Sequence, residues 1–278
     1  MPVKVKHPKA LLWAGALGLV LLILLAVVLC LPRDTRDLPP QTTGTPAEAT
    51  QATLPPPEAN PYGPLDFQYD GGYLTCLAGE SVLGIDVSSH QEEIDWQAAA
   101  AAGIRFVMLR VGYRGYEQGT IFADPLAQEN YLGAKAAGLQ VGAYFFSQAL
   151  STREALEEAD FLLDAIRDWE LDMPVVYDWE YIDQDARTAG MDARAVTDCT
   201  LAFCQAVEQA GYQPMVYFNR HQARELLHLE ELTQYPFWLA MYSDRMTYPY
   251  KIHMWQYTCQ GSVPGIEGDV DINLFFPG

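Results

Sequence analysis

Two carboxylates close the apolar run Pro174-Val175-Val176-Tyr177-Asp178-Trp179-Glu180-Tyr181, at positions i and i+2. In an extended strand, residues two apart point to one face, so Asp178 and Glu180 project together from the strand's C-terminal end. Two acids side by side do not ionise equally, because the charge of one raises the pKa of the other. That keeps one carboxyl protonated near neutral pH, where it can serve as a general acid. A D-x-E pair is also what a solvated strand end with two surface acids looks like. Further acids converging on the same point would separate the two readings.

Such a pair needs a scaffold, and the chain from residue 65 supplies a repeated plan of helix, small-residue stop with glycine, and apolar β-run. The stops are Ala101-Ala102-Gly103-Ile104, Ala136-Ala137-Gly138-Leu139 and Gln209-Ala210-Gly211-Tyr212, with glycine suited to the helix C-cap. Gly103 and Gly138 lie 35 residues apart, Pro174 follows 36 later and Gly211 37 after that. That spacing fits one repeated βα unit. Eight strands are predicted, at 82–87, 106–111, 141–146, 175–177, 215–218, 237–241, 253–257 and 270–274, with 72–77 as a lead-in. Helices are predicted from the Ser151-Thr152-Arg153-Glu154 capping box to about 169, and over 192–210 and 219–231. The connections 242–252 and 258–269 carry no helical period. The fold expected is α/β: a modified TIM-like barrel of five βα units and three further strands, (β/α)5(β)3. Without intervening helices, the last strands leave room for an antiparallel pairing.

In such a barrel the working site lies at the C-terminal ends of the strands. Asp86 ends the first strand, Asp178 and Glu180 end the fourth, and Asp271 begins the last. If that last strand runs antiparallel, its start shares the same face and four carboxylates meet at one mouth. Tyr113, Tyr144, Trp179, Tyr181, Tyr217, Trp238 and Trp255 are the aromatics placed to join them. Acids and aromatic platforms together suit a sugar polymer, whose C–H faces stack on rings while its hydroxyls bond to carboxylates. Singly, each ring reads equally as core, and His90 reads equally as a hydrogen-bonded loop residue.

The rest of the chain bounds the context. Asp and Glu outnumber Lys and Arg by 36 to 17, giving a formal net charge of -19, which excludes nucleic acid as a partner because no basic stripe faces phosphates. Lys4, Lys6 and Lys9 precede an uncharged apolar run at 10–31, long enough at ~33 Å of helix to cross a bilayer. This run exceeds the apolar core of a cleavable signal peptide, so a signal anchor is expected, with 1–9 cytoplasmic and the bulk of the protein outside the cell. If the anchor is cut, the protein is secreted. Residues 32–64, rich in Pro, Thr and Ala, are a linker that buries no core, and 65–278 form the folded domain. Of five cysteines, Cys30 falls in the span. Cys199 and Cys204 lie five apart on one predicted helix and do not bridge each other, whereas Cys76 with Cys259 remains open. No ligand spacing suggests a metal; no cofactor is expected, and a monomer is.

The segments Gly84-Ile85-Asp86-Val87-Ser88-Ser89-His90-Gln91, Ile94-Asp95-Trp96, Arg110-Val111-Gly112-Tyr113, Val141-Gly142-Ala143-Tyr144-Phe145-Phe146 and Asp178-Trp179-Glu180 carry a resemblance in order along the chain. Pro214-Met215-Val216-Tyr217, Phe237-Trp238-Leu239-Ala240, Trp255-Gln256-Tyr257-Thr258 and Val270-Asp271-Ile272-Asn273 continue it. Together they resemble glycoside hydrolase family 25, the Chalaropsis-type lysozymes, over about residues 82–276. The resemblance implies a five-βα, three-strand barrel that hydrolyses the β-1,4 bond between N-acetylmuramic acid and N-acetylglucosamine in peptidoglycan. It implies Glu180 as general acid, Asp178 as its partner carboxylate, and Asp86 and Asp271 as further groove acids. Tyr144, Tyr217, Trp238, Tyr113 and Gln256 are implied substrate-binding residues. The chain departs from the family pattern at His90, where an aromatic is usual, and at Phe145, where His is frequent; neither is a catalytic acid.

Retention, inversion and assistance by the substrate's N-acetyl group all remain open mechanisms at this point. A carboxyl separation of about 5 Å means retention and about 6.5–9.5 Å inversion. Two other classes compete: a wall-binding module with the same groove and no turnover, and another barrel glycosidase such as a chitinase. The longer acid run of chitinases is missing, with Met173 and Val176 standing where acids would be. Anchor and linker suit a resident cell-surface enzyme that remodels the wall.

Overall fold

The computed structural model describes residues 54–277, so the apolar run at 10–31, the residues before it and most of the linker lie outside the described residues. Among the described residues no helix is long and apolar enough to cross a membrane. Among the described residues eleven strands and five α-helices follow one another. The strands are β1 (Phe67–Asp70), β2 (Tyr73–Cys76), β3 (Val82–Val87), β4 (Phe106–Arg114), β5 (Ile121–Ala123), β6 (Gln140–Ser147), β7 (Val175–Trp179), β8 (Pro214–Asn219), β9 (Phe237–Ala240), β10 (Met254–Gly261) and β11 (Val270–Phe275). The helices are α1 (Trp96–Ala101), α2 (Ala127–Ala136), α3 (Thr152–Ala165), α4 (Ala193–Gln209) and α5 (Arg220–Glu225).

Eight of the strands close on themselves in the order β3, β4, β6, β7, β8, β9, β10, β11, the ring completed by a β3–β4 pairing. All neighbours are parallel except β11, which runs antiparallel to both β10 and β3. A helix follows each of the first five barrel strands, and none separates the last three. These strands are Val/Ile/Leu/Phe-rich because both of their faces are covered. Local chemistry starts the helices: Asp95, Ser151, Asp192 and Asn219 each accept a backbone N–H from the first turn of the helix they precede.

Alternation along the strands sorts the core into two layers. Phe106, Met108, Tyr144, Val176, Met215, Tyr217, Trp238 and Met254 fill the barrel interior. Their odd-and-even neighbours, such as Val107, Tyr177, Val216, Leu239 and Trp255, pack outward. Gly84 belongs to the interior layer, where a Cβ would stand 2.3 Å from the Phe106 ring. Its missing side chain is what lets a phenylalanine fill that end of the barrel.

Strands β9 to β11 have no helices of their own to cover them, and the N-terminal segment does that work. Residues 67–76 form a hairpin, β1 with β2, whose Phe67 ring meets Trp255 edge-on at 5.0 Å. Tyr62 packs on Phe276 at 4.8 Å, and the Leu74 N–H donates to the Tyr257 hydroxyl at 3.3 Å. Packing begins before residue 65: Ala59 bridges Tyr250, and Asn60 N donates to the Pro249 carbonyl at 2.9 Å.

Several elements differ from their expected bounds. Strand β4 continues to Arg114 because the short β5 pairs antiparallel with its end; three residues carry too little periodicity to be seen. The helix expected over 219–231 stops at Glu225, and the chain unwinds to bury Leu229 and Leu232 while His228 N donates to Thr197 Oγ1. Helix α3 stops at Ala165, after which Trp169 turns back to stack on Tyr131 at 4.4 Å. Cys76 and Cys259 are free thiols, as are the buried Cys199 and Cys204.

Candidate active site

Strand β7 places its residues by alternation: Val176 and Asp178 face the interior, while Val175, Tyr177 and Trp179 face the helices. Glu180 stands one residue past the strand's end. On the other side of the ring, Asp86 is the penultimate residue of β3 and the cross-strand partner of Asp271 on β11. The antiparallel direction of β11 thus brings its first acid to the mouth where the parallel strands end. Asp86, Asp178, Glu180 and Asp271 line one pocket of about 220 Å³.

Hydrogen bonds single out Asp86. Its Oδ2 accepts from Gln256 Nε2 at 2.9 Å and from Asn273 Nδ2 at 2.7 Å. Both amides are fixed from behind. Gln256 Oε1 accepts from the Tyr217 and Tyr242 hydroxyls at 3.0 and 3.2 Å, and Asn273 Oδ1 accepts from Trp238 Nε1 at 2.8 Å. Neither amide can turn without losing these donors, so both offer N–H to the carboxylate.

Burial dominates the electrostatics, since a low-dielectric site disfavours charge. It pushes Asp86 up to about 6, with the Asn273 and Gln256 amides holding it back. Asp271 lacks such donors; burial, then Asp86 and Glu180, push it up to about 8. Glu180 is pushed up to about 7 by burial and by Asp86, against a hydrogen bond with Asp178. Asp178 is raised by burial, Glu180 and Asp86, and lowered by Arg110. Its Oδ1 is buried with no protein partner. The mouth therefore holds both protonated and ionised carboxyls near neutral pH, as acid–base chemistry needs. Among the described residues no group of three His, Cys, Asp or Glu side chains is arranged to hold a metal ion.

Of the expected binding residues, Tyr144, Tyr217, Trp238 and Gln256 line the pocket. Trp238 meets Tyr217 edge-on at 4.9 Å and Tyr144 at 6.3 Å, forming an aromatic floor below the acids. Tyr113 does not line it. Its ring stacks on Phe122 at 5.2 Å, because the β5 hairpin brings Phe122 opposite it. Trp179 and Trp255 also leave the mouth: their odd positions turn them to the outer layer, where their indoles donate to the Ala149 and Met241 carbonyls. Tyr181 is exposed, edge-on to His221 at 6.2 Å.

Sequence reasoning passed over Arg110, Tyr242 and Asn273. Arg110 sits in the pocket, ion-paired to Asp124 at 2.9 Å; its inward even position on a strand was the available signal. Asn273 lies two residues from Asp271 on β11 and shares its face. Tyr242 lies in a connection without periodicity, and nothing local marked it.

The family described as Glycosyl hydrolases family 25 matches residues 85–266. The Escherichia coli (strain K12) protein YegX is 29% identical over 206 residues, covering 71% of this chain and 71% of its own. Lysozyme M1 of Streptomyces globisporus is 26% identical over 204 residues, covering 70% and 67%. Among solved structures, the modular autolysin LytC from Streptococcus pneumoniae superposes with a TM-score of 0.62 at 26% identity over 71% of this chain. That match spans 47% of LytC, about half its length.

Proposed function

The chain belongs to glycosyl hydrolase family 25 and is a glycoside hydrolase, and on that premise we propose that it is a lysozyme. Its substrate is peptidoglycan, and the bond cleaved is the β-1,4 link between N-acetylmuramic acid and N-acetylglucosamine. The observation that carries this reading is the Asp178–Glu180 pair at the barrel mouth, lining one pocket with a clamped Asp86. Lysozymes among the relatives support the substrate class.

Glu180, protonated below about 7, donates its proton to the glycosidic oxygen as the C–O bond breaks. Positive charge then grows at the anomeric carbon, and the Asp86 carboxylate, kept ionised by two amide donors, stabilises it. Asp178 Oδ1, buried without a protein partner, suits the N–H of the substrate's 2-acetamido group. Held so, the acetamido oxygen forms the new bond to the anomeric carbon. Glu180, now a carboxylate, takes a proton from the water that opens the resulting ring. Both carboxyls come from the end of one strand and meet the sugar from the same side, which supports this route over inversion. The anomer present in the first turnovers, read by NMR, tests it: an inverted product counts against the route.

The apolar run at 10–31 is the basis for placing the enzyme at the cell surface of a bacterium, anchored in the bilayer and remodelling the wall through its linker. Recovery of the full chain in the membrane fraction, with the domain cleaved by protease added to protoplasts, is the expected result. Incubation of the full chain with purified peptidoglycan, borohydride reduction and mass spectrometry test the chemistry. Fragments with reduced N-acetylmuramic acid ends, missing with Glu180→Gln, are expected. Reduced N-acetylglucosamine ends would mean the wrong bond, and a protein that pellets with the wall but releases nothing would be a binding module.

A further inference from the structure

Glu180 stands beyond the reach of the sheet that should position it. The β6–β7 ladder ends at Ser147 with Trp179, and the β7–β8 ladder at Asp178 with Tyr217. Glu180 lies one residue past the last of these register pairs, yet a general acid needs a fixed backbone to hold its carboxyl at the reacting atom. Two side-chain amides continue the ladder. Gln148, at the end of the neighbouring strand β6, donates from Nε2 to the Glu180 carbonyl at 2.6 Å and to the Ser147 carbonyl at 2.9 Å. Gln222, in the first turn of α5 after strand β8, donates to the Trp179 carbonyl.

Each amide is held in the donating orientation. Gln148 Oε1 accepts from the Thr188 hydroxyl at 2.9 Å, and Gln222 Oε1 accepts from the Asn219 backbone N–H at 2.8 Å. Carbonyls cannot donate and neither donor can be replaced by turning the amide, so the N–H ends must face β7. Both glutamines are fully buried, at 0% and 1% exposure. Neither lines the pocket, so neither is a subsite for substrate. Gln148 also joins the segment after β7 to this point. Arg187 donates to the Gln148 carbonyl at 3.1 Å and pairs with Glu154 at 2.8 Å.

We propose that Gln148 and Gln222 are positioning residues for the Glu180 carboxyl, a pair of side-chain struts that extend the barrel's hydrogen-bond ladder by the one residue catalysis requires. The inference rests on the reading of Glu180 as the general acid. Removal of either strut frees the peptide unit carrying Glu180. The carboxyl then swings toward water, its protonated fraction near neutral pH falls, and its distance to the leaving oxygen is no longer fixed.

The test uses the full chain bearing Gln148→Met, Gln222→Met, Thr188→Val or Glu180→Gln, with rate against soluble glycan strands measured across pH. Each Gln→Met variant is expected to lose about tenfold to a hundredfold in kcat with KM within about twofold. The alkaline limb of the kcat profile should also move to lower pH. Thr188→Val, which removes only the hydroxyl behind Gln148, should move the limb in the same direction by less. It decides the matter if the glutamine variants do not fold. Folded variants with wild-type kcat and an unmoved limb, or a loss carried by KM alone, overturn the proposal. An inactive Glu180→Gln beside unaffected glutamine variants overturns this inference alone, whereas a Glu180→Gln that keeps the wild-type rate overturns the reading of Glu180 with it.

Discussion

Proton placement among four neighbouring carboxyls is decided by which of them meet donors. Asp86 accepts from two amides and titrates at about 6, while Glu180, without an amide donor, stays protonated to about 7. Activity needs the first ionised and the second protonated. The kcat/KM profile should therefore rise as pH passes about 6 and fall as it passes about 7, a narrow bell. Replacing Asn273 by Leu removes one donor, raises the Asp86 pKa and moves the acid limb upward, narrowing the bell further; an unmoved limb in the same assay contradicts the clamp. Asp271 shows the opposite face of burial. Its folded-state pKa of about 8 lies above the unfolded value of about 3.9, so the folded state holds the proton more tightly. Its contribution to stability is full below about pH 4, erodes as pH rises and is gone above about 8. Thermal midpoints should fall across that window in the wild type and fall less in Asp271→Asn.

At the scale of strands and helices, alternation carries most of the information. Asp86, Asp178, Tyr144, Tyr217, Trp238 and Gln256 are legible in the sequence because each sits at an inward position of a strand, where a period of two assigns the face. The same rule, applied to Trp179 and Trp255, turns them away from the mouth; reading them as groove aromatics weighed residue type above position. What periodicity cannot reach is what contacts between distant segments decide. Strand β5, the early end of α5 and the stacking of Tyr113 on Phe122 all follow from partners that periodicity does not mark. Interior packing gives a further prediction. Gly84→Ala brings a Cβ against the Phe106 ring and should cost about 1–3 kcal/mol of stability, measured by urea unfolding. The buried Glu158 is another such case: it pairs with Arg114 Nε at 2.6 Å and accepts from Ser147 Oγ at 2.6 Å. Glu158→Gln leaves the buried Arg114 guanidinium with only the half-exposed Glu157 carboxylate, at 3.4 Å, as its ion-pair partner, at a cost of about 1–3 kcal/mol; a melting temperature equal to wild type would rule this out.

Over the whole molecule, the barrel is closed but unevenly covered, and the N-terminal hairpin makes up the difference. Phe67 is buried against Trp255 and Phe276, outside the part matched to the family at 85–266. Phe67→Ala should destabilise the domain by about 3–5 kcal/mol while kcat/KM changes by less than about twofold, because Phe67 touches no residue of the mouth. The place where the chain enters the domain has a mechanical meaning as well. Residues 58–60 are tied to 248–251 through the Ala59–Tyr250 bridge, the Lys251 N–H to the Glu58 carbonyl at 2.7 Å, and the Asn60 amide to the Tyr248 carbonyl at 3.0 Å. Tension applied from the N-terminal side is taken first by this clip on the β9–β10 connection, not by β7. A protein held at that end while its substrate is pulled taut can thus yield at the clip, with the geometry of Asp178 and Glu180 untouched.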